Sequence, residues 1–169
     1  MQIQETMPLG VLVERRKIDH PWQEFAWHVF GVLPGARDDA DWETISMEEK
    51  QAVYLAKTMN VDLYQRETEG YKNNLESGQP AIFVVLRQGE EEDEHEVDPF
   101  LITACPYEAA DYLESGEEIV EAVPMPDGVR IWVENFVREH HVEQKFKKRR
   151  LRRQEDGLAR RIPVRGGRA

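Results

Sequence analysis

Apolar residues come in short alternating runs over most of this chain, and helical spacing enters at three places. Pro8 to Ile18 (PLGVLVERRKI) is apolar and then basic, with Val11 and Val13 in phase, so it predicts a strand with a charged exit. Asp19-His20-Pro21 is a turn signal, because proline presets its own φ and pushes His20 out of the helical region. Glu24 to Leu33 sets Phe25, Trp27 and Val29 on one side and Ala26, His28 and Phe30 on the other, which predicts a second strand paired with the first as a hairpin. Pro34-Gly35 ends it. Asp38 to Lys50 is polar and acidic around Trp42 and Ile45 and reads as loop with one short strand. Gln51 to Ala56 and Val61 to Arg66 predict two strands around a tight turn at Lys57-Thr58-Met59-Asn60.

Glu67 to Ser77 has helical spacing, with Thr68 as cap, Tyr71 and Leu75 on one face, and Gly78 as the stop. Ala81 to Arg87 (AIFVVLR) is a short β-rich apolar run and predicts a central, buried strand. A charged loop, Glu90 to Asp98, leads to a return strand at Pro99 to Ala104. Pro106 suits the first position of a helix over Tyr107 to Leu113, closed by Ser115-Gly116. Glu117 to Val123 carries no clear period, and Pro124-Met125-Pro126 is a rigid connector. From Asp127 onward Val129, Trp132, Val133, Phe136 and His140 recur at helical spacing, predicting a helix that continues through the basic run to about Gln154. The expected fold is α+β: a mostly antiparallel sheet of about six strands, two short helices and a long C-terminal helix.

Charge divides the chain. Residues 145–169 hold eleven Lys or Arg against two acids, a net +9, whereas the 169-residue chain carries −11, which leaves −20 on residues 1–144. This predicts one domain, 1–144, followed by a basic extension, 145–169, that docks onto something. An acidic domain repels phosphate, so nucleic-acid binding is open only to the extension. One cysteine excludes an intramolecular disulfide framework. No apolar run reaches the roughly 20 residues of a membrane span, and the first residues lack the basic and apolar regions of a signal peptide. A cytoplasmic location is expected.

Candidate chemistry is thin. Cys105 stands at a helix start, where the dipole can lower a thiol pKa, but no Cys-x-x-Cys accompanies it, and a small cap residue is the favoured reading. His140 and His141 adjoin, so their side chains diverge by about 100° on a helix and miss the i, i+4 spacing of a zinc motif. The expectation is that His140 completes the apolar stripe and His141 is exposed, with no metal site and no cofactor, although Glu139 and Glu143 flank the pair. His28 reads as a histidine on a strand face and His95 as a solvated one. The carboxylates of 90–98 lack the glycine and ligand spacing of a calcium loop. Glu67, Thr68, Tyr71 and Asn74 form a candidate patch that reads more simply as capping and core. No Gly-rich phosphate loop or G-x-S-x-G elbow is present. The basic run is the strongest interaction signal: Lys145, Lys148, Arg149, Arg150, Arg152 and Arg153 fall on neighbouring helical turns, with Phe146 and Leu151 between them.

Four phrases in order, PLGVLVERRKIDHPWQEFAW, YLAKTMNVDLYQRETEGYKNNLESGQPAIFVVLR, PYEAADYLESGEEIVEAVPMP and WVENFVREHHVEQKFKKRRLRR, resemble the bacterial domain-of-unknown-function 3305 family from about Pro8 to Arg153. The resemblance implies a context, since members tend to be encoded beside molybdenum-dependent formate dehydrogenase and its maturation factors. Some members carry a label as a molybdenum-cofactor guanylyltransferase. That activity needs a Gly-rich nucleotide loop near the N-terminus, where this chain has the strand PLGVLVERR. The resemblance brings no catalytic residues with it. The expected function is therefore a non-catalytic accessory protein or associated subunit of a molybdenum- or tungsten-dependent formate dehydrogenase. It would use the basic helix to bind a dehydrogenase subunit, with Trp132, Phe136 and His140 anchoring that helix to the domain. The alternatives are an RNA- or ribosome-binding module using the same extension, and an enzyme or cofactor carrier using Cys105 or His140-His141.

Overall fold

The longest strand, β1 (Gln4–Lys17), runs between β2 (Phe25–Pro34) and β4 (Gln51–Tyr64), and β3 (Glu43–Met47) completes an antiparallel sheet in the order β2-β1-β4-β3. A second antiparallel sheet has β5 (Ala81–Gln88) between β6 (Val97–Thr103) and β7 (Ile119–Pro124). A 3-10 turn (Gln65–Glu67) leads into α1 (Thr68–Leu75), α2 (Pro106–Ser115) joins β6 to β7, and α3 spans 127–141. This architecture comes from a computed structural model, which describes residues 3–89 and 95–141.

Two parts of the expected fold are corrected. There are seven strands in two sheets of four and three, in place of one sheet of about six. The last helix is about 15 residues, 127–141, in place of a long one, and its expected continuation to about Gln154 lies outside the described residues. The predicted turn at Lys57-Thr58-Met59-Asn60 is also strand: Pro8, Leu9, Gly10 and Val11 pair with Asn60, Met59, Thr58 and Lys57. A bulge between Val11 and Leu12 lets β4 carry one extra residue, so the polar stretch stays in the ladder and bends rather than turns.

One core serves both sheets. β2 lies beside β7 and β4 beside β6. Leu9, Val11 and Val13 of β1, Val61 and Leu63 of β4, and Ile82, Val84 and Leu86 of β5 are buried against one another. Val129, Val133 and Phe136 of α3 close this core, as the helical spacing of those residues requires. His28 Nδ1 lies 2.8 Å from Glu121 Oε2, and Glu121 Oε1 accepts from the Val29 N–H at 2.7 Å, so one carboxylate of β7 holds β2 at two points. Gly10 is needed where segment 35–40 crosses the outer face, because a Cβ there would stand 2.6 Å from Ala36 Cβ.

Among the described residues no helix is long and apolar enough to cross a membrane.

Candidate functional site

The end of α3 and the α1–α2 pair meet in one region, and most of the chemically capable side chains gather there. Local sequence explains each element. Tyr71 is buried, and its hydroxyl accepts the Tyr64 N–H at 3.0 Å. Asn74 is buried as well: its Nδ2 donates to the carbonyls of Ala81 and Ala104 at 2.7 and 2.9 Å, and its Oδ1 accepts the Ala81 N–H at 2.9 Å. One amide thus ties α1 to the start of β5 and to the end of the β6 segment. Gly78 takes a left-handed φ of 91° after α1, and Gly116 one of 72° after α2. Glu67, rather than Thr68, is the N-cap residue of α1, and Thr68 closes the preceding 3-10 turn. The Thr68 hydroxyl instead donates to the Gln65 carbonyl at 3.0 Å and lies 3.0 Å from His141 Nδ1.

A cleft of about 420 Å³ opens between α1 and α2, with Glu67, Glu69, Glu108 and Asp111 around it and Cys105 at its base. Cys105 is buried at the start of α2, with Pro106 behind it at the first helical position, and its side chain makes no capping hydrogen bond. Burial pushes the thiol pKa up, and the nearby Glu67 and Glu108 carboxylates push it further, against the backbone N–H groups of Glu108 and Tyr107. Glu67 is raised in turn, first by burial and then by the charge of Glu108, while the Arg66 charge and the Cys105 thiol hydrogen-bonded to it act the other way. The helix start therefore does not activate this thiol; burial and two acids outweigh the dipole. Tyr107 is exposed beside it and accepts a hydrogen bond from Asn73.

Trp132, Phe136 and His140, the expected helix anchors, differ in their burial. Phe136 is fully buried and meets Tyr71 edge-on at 6.2 Å. Trp132 is half-buried and donates from Nε1 to Glu5 Oε1 at 2.9 Å, and His140 packs on Phe136 at 4.6 Å. The histidine pair departs from expectation: His141 is the buried one, against Thr68, and its Nε2 lies 3.9 Å from Glu69. The spacing rule finds one apolar face, whereas this helix end is covered by β1 and by α1 together. Lys145, Lys148, Arg149, Arg150, Arg152 and Arg153 lie outside the described residues.

Elsewhere, Trp27, Trp42 and Tyr54 cluster with ring centroids 5.7 to 6.2 Å apart, and His95 stacks on Trp42 at 4.0 Å. Trp42 has a φ of 47°, the only positive value on a non-glycine residue among those described, so this packing holds it in a strained conformation. His95, read as solvated, is half-buried here.

The family model described as "Protein of unknown function (DUF3305)" matches residues 8–150, most of the chain. The chain belongs to the DUF3305 family. The match spans both sheets of this DUF3305 protein, all three helices and the first residues of the basic segment. No curated protein and no solved structure matches it.

Proposed function

We propose that this DUF3305 protein is a non-catalytic accessory protein, or small associated subunit, of a cytoplasmic molybdenum- or tungsten-dependent formate dehydrogenase, acting in its assembly or maturation. The observation that carries the docking part is the charge division, −20 on residues 1–144 and +9 on residues 145–169. A basic segment attached to an acidic domain is a directional element. It is attracted to an acidic partner surface while the domain itself is held off, which favours one orientation of approach. Arg149, Arg150, Arg152 and Arg153 are the residues assigned to that contact. Arginine suits it, since the guanidinium fork pairs two-point with carboxylates.

The non-catalytic part draws support from the cysteine and the histidines. A thiol whose pKa is raised by burial, and further by two acids, is a poor nucleophile. His141 is engaged with Thr68, and His140 packs on Phe136. The formate dehydrogenase context comes from the family resemblance.

Capture from a native-host lysate with full-length protein and with the 1–144 truncation tests the reading. The cut after Gln144 spares every described residue, so the truncated chain keeps its core. Formate dehydrogenase subunits retained by full-length protein alone are the expected result. Ribosomal material that is lost on nuclease treatment would overturn it in favour of an RNA-binding module.

A further inference from the structure

We propose that Glu5, Glu139 and His140 form a binding site for a divalent first-row transition-metal ion. One ligand atom from each of the three lies within 4.8 Å of the other two. Glu5 belongs to the start of β1, while Glu139 and His140 belong to the last turn of α3, so the fold assembles a set that neighbour spacing along the chain does not show. The site stands independently of the docking reading.

Three observations favour an ion over a chance surface cluster. Two carboxylates approach each other here, yet among the described residues no lysine or arginine is ion-paired with Glu5 or Glu139, and His140 Nε2 lies 3.6 Å from Glu139 Oε2. A cation between them removes that repulsion. The ligands are also oriented from outside: Trp132 Nε1 holds Glu5 Oε1 at 2.9 Å and leaves Oε2 for the ion, and Phe136 sets the His140 ring at 4.6 Å. Gln65 donates to the His140 carbonyl at 3.3 Å, which fixes the backbone of that turn.

The donor set selects the class of ion. An imidazole nitrogen with two carboxylate oxygens suits Zn²⁺, Co²⁺, Mn²⁺ or Fe²⁺, whereas Ca²⁺ and Mg²⁺ want oxygen alone. With metal–ligand bonds of about 2.0–2.2 Å, tetrahedral ligand atoms stand roughly 3.5 Å apart. Binding therefore draws the three ligand atoms together from their spacing of up to 4.8 Å. The ion would clasp the end of α3 to β1.

The test uses full-length protein stripped with a chelator and titrated with Zn²⁺ by calorimetry, with melting temperature followed in parallel. One equivalent should bind and raise the melting temperature, because an ion held only by the folded state stabilises it. Glu5→Gln, which keeps an oxygen for Trp132, and His140→Asn should each weaken binding by roughly tenfold or more and remove the thermal shift. His95→Asn should leave both intact. Absence of saturable binding, or equal affinity in Glu5→Gln and wild type, overturns the proposal. If His140→Asn does not fold, Glu5→Gln alone decides.

Discussion

Gly70 of α1 backs onto Cys105 at the start of α2 so closely that a Cβ at position 70 would stand 2.7 Å from the Cys105 sulfur and 3.3 Å from the Tyr107 ring. This contact sets the spacing of the two helices that form the acidic cleft. Alanine is the better helix former by about 1 kcal/mol, yet overpacking of this kind costs about 1–3 kcal/mol, so overpacking wins. Gly70→Ala should therefore be less stable than wild type in urea unfolding. Gly70→Ala combined with Cys105→Ala should recover part of the loss, because removing the sulfur makes room. Simple additivity of the two changes would show that the contact does not limit the packing.

The environment of Cys105 predicts a slow thiol. With its pKa raised by burial and by the neighbouring acids, alkylation of folded protein near pH 8 should be roughly tenfold or more slower than that of the unfolded chain. The same shift has a thermodynamic side. The folded state holds the thiol proton more tightly than the unfolded state, so stability falls as pH rises above the unfolded thiol value. Cys105→Ala should flatten that alkaline slope in a pH series of denaturation curves. Fast alkylation at neutral pH would instead reopen the thiol-enzyme alternative.

Glu67 gives the acidic counterpart. Its pKa is raised, by burial and then by Glu108, so the folded state prefers the protonated carboxyl. Its contribution is complete below the unfolded carboxylate value and is lost as pH rises through the folded one. Glu67→Gln should then be more stable than wild type at pH 7, and the two should converge near pH 3. Equal stabilities at both pH values would show that burial at this position costs nothing.

The anchoring of α3 can be separated into core and edge. Phe136 is buried to 1 % exposure, so Phe136→Ala should cost about 3–5 kcal/mol in chemical denaturation. Trp132→Phe keeps most of the packing and loses the hydrogen bond to Glu5, which should cost about 1 kcal/mol. A larger loss at Trp132 than at Phe136 would place the anchor at the edge rather than in the core.

Much of this fold is legible in the sequence where local chemistry decides it. The alternation of Phe25 to Leu33, the apolar run Ala81 to Arg87, the Pro106 start and Gly116 stop of α2, and the Asp127 start of α3 all stand where the spacing puts them. What fails is long-range. Lys57 to Asn60 look like a turn because they are polar, but they remain in the ladder opposite Pro8 to Val11, where Lys57 pairs with Asp98 at 3.1 Å and Thr58 donates to the Arg37 carbonyl. No local pattern distinguishes one sheet of six strands from two sheets of four and three, because the pairing partners are set by the shared core. Glu5 carries no signal of its own until α3 brings Trp132, Glu139 and His140 to it. Of Glu67, Thr68, Tyr71 and Asn74, the core part of the simpler reading holds for Tyr71 and Asn74, which have backbone partners, whereas Thr68 is not the cap of α1 and Glu67 lines the cleft. His141 shows the limit most clearly, being buried one residue beyond the stripe that helical spacing assigns.

The docking claim is tested most directly with purified components. Affinity for formate dehydrogenase from the same cell is measured by calorimetry for full-length protein and for the variant with Arg149, Arg150, Arg152 and Arg153 all changed to alanine. The account predicts saturable binding by wild type and a loss of roughly a hundredfold or more in the variant, since charge-pair losses of a few kcal/mol are expected at such a contact. Equal binding by both proteins, or none by either, would contradict it.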